Sequence, residues 1–360
     1  MENLVRDALR RVHYPEVAKD IVACGILRKV EVAAGVTVHL ELPTMVIQPH
    51  VREAFEREVK LAAEGVAGGK PVSLVTSVKV AALSPPPDKN RVPGVKNIIA
   101  VASGKGGVGK STVATNLALA LSRWGAKVGM LDTDVFGPSI PHMLGTPTQP
   151  PGATPEKRIA PAVYYGMKVI STGFFVEKND AVVWRGPMVH KLLQQFMEDV
   201  DWGELDYLVL DLPPGTGDVQ LSLAQLVPVT GAVMVTTPQE VAVIDVIKGI
   251  AMFKKVEVPV LGVIENMAYF RCPSCGHHEE IFSRGGGRKL AQEAETVFLG
   301  EIPIHSSVRA AGDVGMPIVE AEPESEHAKI FMDLAARVAG RLVSGILSGP
   351  RRSPSLVAIR

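Results

Sequence analysis

The sequence predicts an α/β fold, with a mainly parallel sheet between two layers of helices, preceded by a small α+β domain. After residue 96, short apolar runs alternate with stretches of helical spacing. The runs are apolar on both faces, as expected for strands that helices cover on either side. The strands predicted for this larger region are 97–103, 127–132, 207–211, 231–236 and 258–265, and the helices between them are 110–123, 218–227 and 241–255.

The smaller region predicts the element order helix–strand–strand–helix–strand. Its two central apolar runs alternate and are separated by three residues, which is a hairpin spacing. A charged stretch of helical spacing follows, and then a third alternating run. The predicted elements are a helix at 4–12, strands at 25–32 and 36–42, a helix at 50–64 and a strand at 72–82.

Composition sets the domain boundaries. Three consecutive prolines within 84–95 exclude a helix or a central strand there, so this stretch is predicted to be a linker. A second proline-rich segment, 149–157, is predicted to be a surface loop. The predicted division is a small domain at 1–83, the linker at 84–95, the larger domain at 96–347 and a mobile tail at 348–360.

The composition excludes several functional classes. The 360 residues carry 38 Lys plus Arg and 38 Asp plus Glu, so a zero net charge argues against a nucleic-acid partner. Three cysteines do not make a secreted disulfide scaffold. The charged N-terminal residues do not resemble a signal peptide, and no apolar run reaches the length of a membrane span. We expect a cytoplasmic protein with no stable membrane association.

One segment matches the phosphate-binding pattern G-x-x-x-x-G-K-[ST] in full, between a predicted strand and a predicted helix. Such a loop curls backbone N–H groups around phosphates at the start of a helix. Lys110 is expected to reach the β- and γ-phosphates of ATP, and the Ser111 hydroxyl to ligate Mg²⁺. The predicted nucleotide-binding residues are Gly104, Lys105, Gly106, Gly107, Val108, Gly109, Lys110, Ser111 and Thr112.

Carboxylates end two of the predicted strands. Asp132 ends the strand at 127–132 and Asp134 follows it, whereas Asp211 ends the strand at 207–211. Ligands bind at the carboxyl ends of strands in open α/β sheets, so Asp211 is expected to hold Mg²⁺ through water. The aspartates at 132 and 134 could instead cap a helix, and Asp218 is a candidate helix N-cap in the same way.

Cys272 and Cys275 form a C-x-x-C pair whose thiolates can converge on one metal. A four-cysteine site needs two such pairs, and a two-fold dimer would supply the second. The site could then hold a [4Fe–4S] cluster or a zinc ion between two chains. A zinc site completed within the chain by His277 and His278 and a redox dithiol remain open, whereas Cys24 is expected to be an inert buried thiol.

The loop with a second lysine, Lys105, resembles the deviant phosphate loop of the MinD/ParA/nitrogenase-iron-protein class of dimeric ATPases. The loop occurs in order with the segments 184–187 and 211–218 and with the C-x-x-C pair. Together these motifs resemble the Mrp-type (ApbC-like) iron–sulfur cluster carrier ATPases over about 96–345. Residues 1–83 resemble the MIP18-like domain, although Tyr14 stands where that domain tends to have Asp.

The resemblance implies specific roles. Lys105 would cross a homodimer interface to the partner's nucleotide, and Asp134 would orient the attacking water. Asn266 would read the adenine, in a pocket that the loop at Pro238 borders. The catalytic residues so implied are Lys105, Lys110 and Asp134, the base-site residues are Asn266 and Pro238, and the metal-site residues are Ser111 and Asp211 for magnesium and Cys272 and Cys275 for a bridging cluster.

The implied function is a homodimeric, ATP-dependent carrier of a labile [4Fe–4S] cluster. It would receive the cluster from upstream scaffolds and transfer it to apo iron–sulfur client proteins, gated by slow ATP hydrolysis. The alternative is a MinD/ParA-like switch ATPase in which the C-x-x-C pair holds a structural zinc. Proteins of that class often end in an amphipathic membrane helix, but the apolar spacing of 328–347 favours a helix packed on the sheet.

Overall fold

The computed structural model describes residues 1–83, 92–135, 137–175, 186–215 and 217–348, with the side chains of residues 186, 187, 218 and 219 excepted. The chain divides into two compact units. Unit 1 takes in Met1–Ser84 and Ala339–Arg360, and unit 2 takes in Pro85–Val338. Most of the predicted linker, all but one residue of the predicted tail and the segment 176–185 lie outside the described residues.

Unit 1 contains a three-stranded sheet with a helix before it and a helix between its second and third strands. The central strand alternates buried and half-buried residues, so one face of the sheet forms the core with Phe55 and Val59. The element order is the predicted one. The elements are α1 (Glu2–Leu9), β1 (Leu27–Val32), β2 (Val36–Leu42), α2 (Pro49–Glu64) and β3 (Val72–Val78).

Unit 2 is a layered α/β structure, and the predicted fold class is confirmed. Its strands are β4 (Val95–Ser103), β5 (Val128–Asp132), β6 (Gly152–Ala153), β7 (Ile159–Ala160), β8 (Ala162–Tyr164), β9 (Met167–Ser171), β10 (Leu205–Asp211), β11 (Gly231–Thr236), β12 (Val260–Arg271), β13 (His278–Glu279) and β14 (Phe298–Ile304). Its helices are α3 (Lys110–Arg123), α4 (Ile140–Leu144), α5 (Gly186–Glu198), α6 (Asp218–Leu226), α7 (Glu240–Lys255), α8 (Gly286–Glu293), α9 (Ser306–Asp313), α10 (Ile318–Ala321) and α11 (Glu326–Ser348), with a 3₁₀ turn at Thr172–Phe174.

The large sheet has the strand order β13-β12-β11-β4-β10-β5-β9-β8, with β14 also paired to β12. Its inner strands are parallel, and β8 and β13 are antiparallel to their neighbours. The chain leaves β4 through α3, passes over β10 and enters β5, so the sheet changes its winding direction beside β4. Such a switch point opens a crevice at the carboxyl edge of the sheet. The phosphate-loop segment follows β4 at this edge.

The structure differs from the sequence prediction at the end of β12 and at the C-terminal boundary of the larger unit. The strand predicted at 258–265 continues to Arg271, because β13 and β14 pair with its polar second half. The residues from Ala339 onward belong to unit 1, whereas the predicted larger domain ends at 347. Within unit 1, Val343 is buried in the core and Ser344 Oγ donates a hydrogen bond to the carbonyl of Glu16.

The C-terminal helix forms where helical spacing predicts it. Phe331, Leu334 and Val338 are buried, and the Leu334 side chain lies against Gly300 of β14. These contacts within unit 2 agree with a helix whose apolar face packs on the protein. Across the part of the chain that the structure describes, none of the helices combines the length and apolarity that crossing a bilayer requires.

Candidate functional site

The phosphate-loop segment joins the carboxyl end of β4 to the first residue of α3. Gly107 and Gly109 have φ angles of 80° and 78°, in the left-handed region that favours glycine. Gly109 is the N-cap of α3 and has no side chain to cap the helix. The first N–H groups of α3 are therefore available to an anion at the positive end of the helix dipole.

Two glycines of the loop are required by close packing. A Cβ on Gly104 would lie 2.6 Å from the backbone of Asp245, and a Cβ on Gly109 would lie 2.2 Å from Asn266 Nδ2. Asn266 Nδ2 donates a hydrogen bond to the carbonyl of Val108 at 2.9 Å. The loop is thus held between the start of α7 and the middle of β12, in a cradle that a side chain would fill.

A buried ion pair lies beneath the loop. Lys110 Nζ is 2.5 Å from Asp211 Oδ1, with the two side chains 6% and 0% exposed, and Nζ also lies 3.2 Å from Ser111 Oγ. Asp211 Oδ2 accepts no hydrogen bond from the described part of the chain. Burial raises the pKa of Asp211, and Lys110 opposes the rise. An unsatisfied carboxylate oxygen near a serine hydroxyl fits a hard cation such as Mg²⁺.

Asp132 lies beside Asp211 on the neighbouring strand. It accepts hydrogen bonds from Ser171 Oγ at 2.9 Å and from the backbone N–H of Asp134 at 3.1 Å. Burial, together with the charge of Asp211, raises the pKa of Asp132 to about 7. Asp132 therefore fixes the loop that follows β5, including Asp134. Asp134 is half-buried, and its negative charge contributes to the raised pKa of Asp211.

Lys105 makes an ion pair within its own chain. Its Nζ lies 3.5 Å from Asp245 Oδ2 on α7, and the Lys105 side chain is 39% exposed. Lys248, and to a smaller extent Lys105, lowers the pKa of Asp245. Sequence reasoning missed Asp245, since no motif marks a residue 140 positions away along the chain.

Of the residues predicted to border the base, Asn266 contacts the phosphate loop and Pro238 packs on the start of α8. Asn266 is buried on β12, and the carbonyl of Pro238 would lie 2.3 Å from a Cβ on Gly286. Glu265 is fully buried and accepts hydrogen bonds from the N–H groups of Gly285 and Gly287, at 3.0 and 2.5 Å. Glu265 therefore fixes the start of α8 against the loop at Pro238, a role that the sequence analysis did not assign.

The C-x-x-C pair directly continues β12, the strand that carries Asn266. The N–H of Cys272 donates to the carbonyl of His277 at 2.9 Å, and the N–H of Gly276 donates to the carbonyl of Cys272 at 2.9 Å. Backbone N–H groups of Cys275 and Ser274 bond to the Cys272 sulfur and lower the pKa of its thiol. Cys272 is half-buried and Cys275 is exposed. N–H donors that favour thiolate are suited to a soft metal partner.

The other metal-site possibilities have less support. Within the described ranges, no group of three or more His, Cys, Asp or Glu side chains is arranged to hold a single metal ion. Burial raises the pKa of the Cys24 thiol in unit 1, as expected for an inert cysteine. Trp184, Arg185 and the Asp218 side chain lie outside the described part of the chain.

A phosphate loop at the switch point of a parallel sheet, with a carboxylate on the adjacent strand, defines a P-loop NTPase. The family model for ParA, described as NUBPL iron-transfer P-loop NTPase, matches residues 94–339. The chain belongs to this family. The predicted ATPase class and the predicted resemblance of about 96–345 to the iron–sulfur cluster carrier ATPases are both confirmed.

Curated relatives and a solved structure agree with this assignment. The chain is 50% identical over 306 residues to an iron-sulfur cluster carrier protein of Salmonella typhimurium, which covers 85% of this chain and 83% of the relative. It is 45% identical over 360 residues to an iron-sulfur cluster carrier protein of Deinococcus radiodurans, covering 99% and 100%. A nucleotide-binding protein of Archaeoglobus fulgidus, solved in complex with ADP and with cobalt, has a TM-score of 0.58 at 40% identity, covering 67% and 94%.

Proposed function

We propose that the protein is an ATP-dependent carrier of iron–sulfur clusters. Asn266 contacts the phosphate loop, and the same strand ends at Arg271, next to Cys272. The observation that carries the proposal is this continuity between the nucleotide site and a pair of accessible cysteines. A thiolate pair at the end of such a strand is exposed to a partner while remaining connected to the nucleotide site.

The cargo we propose is a [4Fe–4S] cluster held between two copies of the chain. Each copy supplies Cys272 and Cys275, and two pairs meet the four-thiolate requirement. Thiolates are the ligands that iron–sulfur clusters prefer. A structural zinc is less well supported, because the relatives that match most of this chain are named iron-sulfur cluster carrier proteins. We expect the carrier to work in the cytoplasm, where thiols stay reduced.

The nucleotide chemistry that we propose uses the residues of the phosphate loop and the carboxylates beside it. Mg²⁺, when bound, would neutralise phosphate charge, held by Ser111 and, through water, by Asp211. Lys110 donates to the phosphates from its position beneath the loop, and Asp134 orients the attacking water. Lys105 leaves Asp245 and reaches the nucleotide of the partner copy, with a role like that of an arginine finger. Hydrolysis then changes how tightly the two copies bind the cluster.

The partners we propose are upstream scaffolds, which load the cluster, and apo iron–sulfur proteins, which receive it. A client whose thiolates bind the cluster more tightly than those of the carrier would take the cluster by ligand exchange. No nucleic-acid partner is proposed, because the net charge is zero. Slow hydrolysis suits a switch between a holding and a releasing state.

Anaerobic reconstitution tests the proposal. The protein is incubated with ferrous iron, sulfide and a thiol reductant, and iron and sulfide are measured per dimer together with the visible spectrum. We expect about four of each per dimer, lost in Cys272→Ala and in Cys275→Ala. The matched control is Cys24→Ala, which removes a thiol of unit 1 and should leave loading unchanged. Zinc uptake alone, or loading indifferent to the first two substitutions, would refute the carrier role.

A further inference from the structure

The ring of Tyr269 lies on β12, between Asn266 and the C-x-x-C turn along the chain. It stacks on the imidazole of His278, with ring centroids 5.0 Å apart and an interplanar angle of 11°. Tyr269 and Cys272 also line the same cavity, which has a volume of about 440 Å³. The ring therefore belongs to the immediate surroundings of the first cysteine.

His278 closes the cysteine turn. It lies on β13, where it is paired with Arg271 at the end of β12. The residues between these two partners form the turn, and within it the N–H of Cys272 donates to the carbonyl of His277. A displacement of the Tyr269 ring therefore acts on the base of the turn that presents both cysteines.

A second contact of the same ring comes from the segment that precedes α8. The guanidinium carbon of Arg284 lies 5.2 Å from the centre of the Tyr269 ring, within the range of a cation–π contact. An ion pair of 2.6 Å with Glu301 of β14 holds Arg284 in this place. The Tyr269 ring thus contacts both the cysteine turn and the residue that precedes the glycine segment 285–287.

This glycine segment is fixed against the predicted base site. Two of its N–H groups donate to the buried carboxylate of Glu265. A Cβ on Gly286 would lie 2.3 Å from the carbonyl of Pro238, so no free space separates the two segments. Closely packed groups transmit displacements because they are hardly compressible. A shift of the loop at Pro238 on nucleotide binding is therefore expected to move Arg284.

The backbone of β12 is irregular between Asn266 and the cysteines. Met267 has a φ angle of 56°, in the left-handed region that strains a residue with a side chain. The pairing of β12 with β14 also shifts register between Asn266 and Phe270. A bulge disrupts the hydrogen bonds of the sheet locally, so the sheet fixes the two halves of β12 less firmly to each other. The contacts of the Tyr269 ring provide a second connection between these halves.

We propose that Tyr269 is a positioning residue through which the nucleotide site and the cysteine turn affect each other. The inference rests on the proposed carrier function and names the contact by which the nucleotide state reaches the cluster. Bound nucleotide moves the glycine segment and Arg284, and the Tyr269 ring transmits the shift to His278 and the turn. Because coupling between two binding sites is reciprocal, a bound cluster changes the nucleotide affinity by the same factor.

The test compares the ADP affinity of the apo-protein with that of the anaerobically loaded protein. For the wild type, we expect the two dissociation constants to differ about fivefold or more, since coupled sites affect each other by at least this factor. In Tyr269→Leu, which removes the ring but keeps an apolar side chain, this difference should disappear while the affinity of the apo-protein stays unchanged. Tyr269→Phe is the matched control, because it keeps the ring and should keep the wild-type difference.

Arg284→Gln is a second variant, which removes the cation beside the ring and leaves the cysteine turn intact. It should reduce the difference as well. Iron and sulfide are measured for every sample, so that only loaded protein is compared with apo-protein.

A wild-type difference that persists in Tyr269→Leu, or in Arg284→Gln if Tyr269→Leu takes up no cluster, would overturn the role of Tyr269 and leave the carrier function standing. A loaded wild-type protein that binds ADP as the apo-protein does would overturn that role in the same way. A wild-type protein that takes up no cluster would instead refute the carrier function itself.

Discussion

The ammonium of Lys110 and the carboxylate of Asp211 form a buried ion pair across the start of α3 and the end of β10. Breaking a buried pair from one side leaves an uncompensated charge, at a cost of about 3 to 5 kcal/mol. Asp211 has no other cation within the described part of the chain to replace Lys110. The pair therefore connects the stability of the sheet to the phosphate site.

Lys110→Met is expected to lower the free energy of unfolding by about 3 kcal/mol and to abolish nucleotide binding. In the double variant Lys110→Met/Asp211→Asn, most of the stability should return because no lone charge is buried, but nucleotide binding should not. Urea unfolding and ADP titration measure the two effects. A single variant as stable as the wild type would contradict the description of the pair as buried and mutually dependent.

Asp132 should make stability depend on pH. Its pKa is about 7 in the folded protein and ordinary in the unfolded chain, so the folded state binds more protons between these values. Stability should therefore fall as the pH rises from 5 to 8. Asp132→Asn should flatten this slope, as measured by urea midpoints at each pH. An equal slope in the variant would show that another group is responsible.

Gly109→Ala should lower the stability of the protein by more than backbone strain alone would. Its φ of 78° already costs an alanine about 1 to 2 kcal/mol, and the new Cβ would also meet the Asn266 amide. Gly125→Ala is the control, because Gly125 has a φ of 92° but no atom within 4 Å of the added Cβ. Calorimetry should show the larger loss of stability for Gly109→Ala. ADP titration should show a loss of affinity in that variant only. Equal effects would exclude the close contact.

Glu265→Gln should loosen the start of α8. One of the two backbone N–H groups that the carboxylate satisfies would then face an amide NH₂, at a cost of about 2 kcal/mol. Because this segment packs on the loop at Pro238, nucleotide affinity should fall with stability. The control is Glu301→Gln, which removes an exposed ion pair with Arg284 and should change stability by less than about 1 kcal/mol. Unchanged ADP binding in Glu265→Gln would separate this segment from the base site.

Local patterns predicted the helix and the strand end that carry the candidate nucleotide site. The helix predicted at 110–123 has the bounds observed, and Asp211 lies on the strand end where an apolar run ending in a carboxylate indicated it. These features depend on residues that are adjacent in sequence, so periodicity and a phosphate-loop pattern suffice. The C-x-x-C turn was found in the same way.

The contacts between distant segments could not be predicted. The second half of β12 is polar, and it is a strand because β14 pairs with it, which a single segment does not reveal. The partner of Lys105 on α7 and the stacking of Tyr269 on His278 depend on the folded arrangement. Glu265 had the sequence properties of an ordinary strand end, and its burial makes it a support of the glycine segment.

The central claim is that the cysteine pair carries a cluster that can be given away. The most direct measurement is the transfer of the reconstituted cluster to an apo-aconitase, followed by the return of aconitase activity after the carrier is removed. We predict that the loaded wild-type protein activates aconitase and that Cys275→Ala does not. Free iron and sulfide at equal concentration should activate aconitase more slowly than the wild-type protein. A loaded carrier that activates no faster than free iron and sulfide would contradict the claim.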